Sequence, residues 1–95
     1  MSQTNDRNVS PEQQDQILFM MLVQQHQQIA LMGLGEQENP TTKTKERDLK
    51  AVKYAIDTLT MLEKFTAGNL TKEMSGYLTE TLKSLRLKYV DANKS

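Results

Sequence analysis

The segment from Ile17 to Leu34, ILFMMLVQQHQQIALMGL, has the length of a helix, and twelve of its eighteen residues are apolar. Wound at 3.6 residues per turn, those side chains point in every direction. The only polar break is one turn of amides and a histidine, Gln24 to Gln28. A helix that is apolar all round must be covered on all sides. A chain of 95 residues is a single domain with a modest core and holds too little other material to wrap such a helix. The segment therefore predicts burial against a second copy of the chain or against another partner.

Two other uses of an apolar segment fail on its details. The longest apolar run, Ile17 to Val23, is seven residues, against the roughly 20 needed to cross a bilayer. Glu12 and Asp15 precede it where a signal peptide would carry basic residues. A soluble, cytoplasmic protein is the expectation, and the absence of cysteine is compatible with a reducing compartment. Charge is balanced overall but unevenly spread: residues 1–40 hold one base against five acids, and residues 41–95 hold eleven against seven. Such a split favours intramolecular or head-to-tail complementarity over a nucleic-acid stripe, which needs a basic excess across the domain.

Local signals lay out three helices. Residues 1–9 are polar and aperiodic and predict a disordered leader ahead of one helical domain over 10–92. Ser10, Pro11 and Gln13 have the order of an N-cap, a first helical residue and a capping box, so helix 1 is expected over about 11–34, roughly 36 Å long, with Gly35 closing it. The stretch 35–47 is a polar loop with a turn expected at Asn39-Pro40, and its length marks it as a functional surface or a mobile one. Asp48 caps helix 2, about 48–66, whose stripe is Leu49, Val52, Ile56, Leu59, Leu62 and Phe65, with Lys53 and Asp57 paired on the outside. Gly68 ends it and Thr71 starts helix 3, about 71–90, with the stripe Met74, Leu78, Leu82, Leu85 and Tyr89 flanked by Tyr77 and Val90. So short a connection makes helices 2 and 3 an antiparallel hairpin. With no sustained alternation and no tight hairpin turn, the fold class is all-α: helix 1 packed on the helix 2/helix 3 hairpin.

The order Leu34-Gly35, Asn39-Pro40, Asp48-Leu49, Ile56-Asp57 with Leu59 and Leu62, Thr66-Ala67-Gly68-Asn69-Leu70-Thr71, Leu85-Arg86 and Tyr89-Val90 resembles a family of small bacterial proteins known only as a domain of unknown function. The chain departs from that pattern at Lys43, where a glycine often follows the threonine, at Phe65, where a lysine is usual, and at Gly76 inside helix 3. The resemblance implies the helical fold and a bacterial, cytoplasmic setting, and it transfers no catalytic residue.

Chemistry-bearing patterns are scarce. His26, the single histidine, has Leu22, Val23, Ile29 and Ala30 at helical contact distance, none of them a carboxylate, and with no cysteine it is poor material for zinc. No catalytic residue, metal ligand, cofactor site or small-molecule substrate is expected. The methionines Met20, Met21 and Met32 suit core filling or an adaptable binding surface. The basic run Lys43, Lys45, Arg47, Lys50 and Lys53 lacks interleaved aromatics and is diluted by Glu46 and Asp48, so it is read as a solvated face. The expected function is non-enzymatic: a homo-oligomer, most simply a dimer, with Leu18, Met21, Leu22, Gln25, His26, Ile29 and Met32 at the interface. A polar layer inside an apolar seam would fix its register. The alternatives are an adaptor taking a partner helix on helix 1 and a membrane-surface or nucleic-acid binder using the apolar helix or the loop lysines.

Overall fold

The computed structural model describes residues 9–94, and of the expected leader only Val9 falls within them. Three helices follow one another: α1 (Pro11–Gly33), α2 (Leu49–Phe65) and α3 (Lys72–Asn93). Each begins where the sequence places a cap. The Gln13 N–H donates to Ser10 Oγ at 3.1 Å while Gln13 Oε1 accepts from the Ser10 N–H at 2.9 Å, completing the capping box. Asp48 and Thr71 accept from the N–H groups of Ala51 and Met74 in the same way. Without these acceptors the first-turn donors would have no partner inside the helix.

Gly35 closes α1 as expected. At φ +81° it lets its own N–H reach Met32 O and the Glu36 N–H reach Leu31 O, the paired bonds of a Schellman ending. Gly68 acts one step later than expected, since α2 ends at Phe65 and Gly68, at φ +85°, turns the chain between Thr66 and Asn69. Helix α3 runs to Asn93, three residues past the expected end. Among the described residues there is no strand, only an isolated bridge between Asn39 and Thr44.

Helix α2 runs antiparallel to both neighbours, Gly33 meeting Asp48 and His26 meeting Tyr54 on one side while Glu63 meets Thr79 and Thr60 meets Arg86 on the other, and α1 packs chiefly on α2. The Tyr77 hydroxyl donates to Gln27 Oε1 at 3.0 Å and Lys88 Nζ to Glu36 Oε1 at 2.8 Å, which sets α1 and α3 parallel. The core is built from Val52, Ala55, Ile56 and Leu59 of α2 against Leu78, Leu82 and Leu85 of α3. From α1 it receives Val23 and Ala30, with Leu34 just beyond the helix. The α2 stripe stops short of its expected end: Phe65 is exposed, because each three-residue step falls about 60° short of a full turn, and by Phe65 the run has come round to the side of Tyr54 and Met61. Val90 of α3 likewise faces outward.

The sequence gives no warning of one contact. A Cβ on Gly33 would sit 2.7 Å from Asp48 O and 2.7 Å from Val52 Cγ2, so α1 approaches the start of α2 at a distance only glycine permits. The same approach lets the Asp48 N–H donate to Gly33 O at 2.8 Å, bringing the two ends of the 35–47 loop together. Within the loop, Asn39 Oδ1 accepts from the N–H groups of Thr41 and Thr42, and Lys43 takes φ +62°. Lys43 thus holds a left-handed conformation that glycine would adopt at lower cost.

Candidate functional site

Helix α1 contributes three buried residues, Val23, Ala30 and Gly33, all small. Phe19, Ile29 and Leu31 pack partly buried against the core, and the remaining large apolar side chains turn away from it. Ile17, Leu18, Met21 and Leu22 are between 38% and 61% exposed, on two consecutive turns of one side of the helix. Exposed apolar residues scattered singly are ordinary, but a contiguous block of four is not.

The block continues onto α2. Tyr54, Met61 and Phe65 stand seven and four residues apart, on one face, and are between 41% and 78% exposed. His26 joins the two helices: its Nδ1 is bonded to Leu22 O at 3.0 Å, and its ring lies tilted 6.1 Å from that of Tyr54. The outward face of the α1/α2 pair is therefore apolar over most of its length.

The expected interface residues divide on this geometry. Leu18, Met21, Leu22 and Gln25 are exposed on the outward side, and His26 is half-buried at its edge. Ile29 packs against the core, and Met32 is half-buried beside Asp48 and Arg47 in a cleft under the loop. The polar turn also splits, with Gln27 spent on Tyr77 and Gln24, Gln25 and Gln28 exposed. Tyr54 and Met61 were missed from sequence, although their spacing to Phe65 is a legible second stripe on α2.

Next to this block, and sharing Ile17 and Met21 with it, an open groove runs between Met20 and Gln24 of α1 and the start of α3 at Glu73 and Met74. Among the described residues Glu73 is the one titratable side chain lining it, and the rest of the lining offers apolar and amide contact. Among the described residues no three His, Cys, Asp or Glu side chains are placed to hold a metal ion. The basic run is dispersed: Arg47 Nη1 reaches Ala92 O at 3.5 Å, and Lys53 pairs with Asp57 at 2.7 Å, which raises the Lys53 pKa above its ordinary value.

A family profile matches residues 16–91, four fifths of the chain, and spans the whole outward face of α1 and α2. The chain belongs to the DUF1844 family. DUF1844 is described as a domain of unknown function, so membership assigns no activity. Neither the curated proteins nor the solved structures contain a match to this DUF1844 chain. None of its described helices is long and apolar enough to cross a membrane.

Proposed function

We propose that this protein is a non-enzymatic self-association module, a homodimer whose second copy covers the outward face of α1 and α2. One observation carries the reading: the buried positions of α1 are Val23, Ala30 and Gly33, while Ile17, Leu18, Met21 and Leu22 stand open to water beside Tyr54, Met61 and Phe65 of α2. Charge favours a second copy as the occupant. Residues 8–42 contain no lysine or arginine, whereas residues 43–53 contain five, so each copy carries both halves of a complementary pair. A bacterial cytoplasmic setting suits the cysteine-free composition and the family resemblance.

Sedimentation velocity at micromolar concentration tests this. The unaltered chain is expected to sediment at twice its 10.9 kDa mass. Leu18→Glu places a charge where the single chain is open to water, so it is expected to give a helical monomer. A 10.9 kDa species from the unaltered chain would sink the proposal, and a tight one-to-one complex with a different protein would reassign the face to an adaptor.

A further inference from the structure

We infer that the two copies dock antiparallel, α1 on α1 and α2 on α2, about a two-fold axis level with Met21 and Met61; this rests on the self-association reading above. The first argument is the shape of the face. Asp48 lies level with Gly33, and Tyr54 level with His26. Along antiparallel helices one residue forward on α2 matches one back on α1, which sets Met61 level with Met20 and Phe65 level with Gln16. The exposed side of α1 from Ile17 to Gln25 is centred on Met21, and the exposed stripe of α2 from Tyr54 to Phe65 is centred on nearly the same level. A face balanced about one level can meet its own copy turned end for end. Tyr54 then stands opposite Phe65 of the second copy, an aromatic pair, and Met61 stands beside its own image.

The second argument is charge. A parallel arrangement would stack Glu12 and Asp15 on their own images, on a helix that carries no cation, and would align the two α1 dipoles. The antiparallel arrangement opposes the dipoles. It also carries Glu12 and Asp15 to the start of the other copy's α2, where Lys50 is exposed and Lys53 lies one turn further on. Like-charge contact is removed and opposite charges meet.

The cysteine-free chain makes orientation directly readable with single-cysteine variants under oxidising conditions. Met21→Cys lies about 1.5 Å along the axis from its image and is expected to link to itself. Leu18→Cys and Gln25→Cys each lie roughly 10 Å along the axis from their own images, beyond the ~7 Å limit for a disulfide. Each alone is therefore expected to stay unlinked, while an equimolar mixture of the two forms the mixed disulfide. Circular dichroism of each variant checks that its helices are intact. Efficient self-linking of both Leu18→Cys and Gln25→Cys would show a parallel pair, overturning the inference while leaving self-association standing. A dimer by sedimentation in which none of the three links would place the interface elsewhere and overturn it too. A monomeric unaltered chain would remove both readings together.

Discussion

Glycine-to-alanine substitution is expected to act with opposite signs at two helical positions of this chain. In a helix interior the change is favourable by about 1 kcal/mol, since alanine loses less backbone freedom on folding. At Gly76 a Cβ meets nothing within 4 Å, so the whole gain is kept. At Gly33 the Cβ would fall 2.7 Å from Asp48 O, where ordinary contact begins at 3.4 Å, so α1 and α2 must part by about 0.7 Å. Overpacking of that kind costs about 1–3 kcal/mol. The same displacement would stretch the 2.8 Å bond from the Asp48 N–H to Gly33 O to the edge of hydrogen bonding, a further loss of about 1 kcal/mol. Set against the helix gain, Gly33→Ala is left destabilising by about 1–3 kcal/mol. In a domain of this size each kcal/mol moves Tm by roughly 4–8 °C. Thermal melts followed by circular dichroism, at one fixed protein concentration, should show Gly76→Ala rising by about that much and Gly33→Ala falling by at least as much. Equal upward shifts for both would refute the close approach of α1 to α2.

Three further outcomes are expected. Lys43→Gly relieves a left-handed backbone worth about 1–2 kcal/mol, offset in part by glycine's own entropy, so urea unfolding should show a net gain of up to about 1 kcal/mol. Ser10→Ala removes half of the capping box and should lower stability by about 0.5–2 kcal/mol, with amide exchange quickening first at Gln13. The Lys53 ammonium, held by its hydrogen bond to Asp57 and by that carboxylate's charge, has its pKa raised on folding. Its stabilising contribution is therefore fully present below the ordinary lysine value and lost only as pH rises through the raised one. An NMR titration should show the Lys53 midpoint return toward the ordinary value in Asp57→Asn.

What the sequence made legible was whatever is decided locally. Ser10, Asp48 and Thr71 cap because their side chains answer donors three residues away, and Gly35 closes α1 through bonds to the helix's last turns. The α2 and α3 stripes carried their own direction. Gly33 was not legible, because the groups that crowd it belong to Asp48 and Val52 across the loop. Helix α1 posed the opposite difficulty: being apolar all round, it has no side that points to a core. Which side is left over is decided by how α2 and α3 settle against it, so Leu18, Met21 and Leu22 could be named while Ile29 could not be separated from them. Phe65 continued a run of three-residue steps, and since each falls about 60° short of a full turn the run leaves the core side with no change of spacing to mark it.

The bond between the Asp48 N–H and Gly33 O makes the 35–47 loop a detour that ends where it began. Every residue from Glu36 to Asp48 is exposed. Chain added there would not alter the distance the loop must span, and doubling its length costs only about 0.6 kcal/mol of closure entropy. It is thus a natural graft point: a peptide epitope or small domain spliced into the stretch between Glu36 and Thr44 should be carried as cargo by a scaffold whose helices keep their places. Paired by the two-fold proposed above, the scaffold would display two such inserts at opposite ends of the assembly.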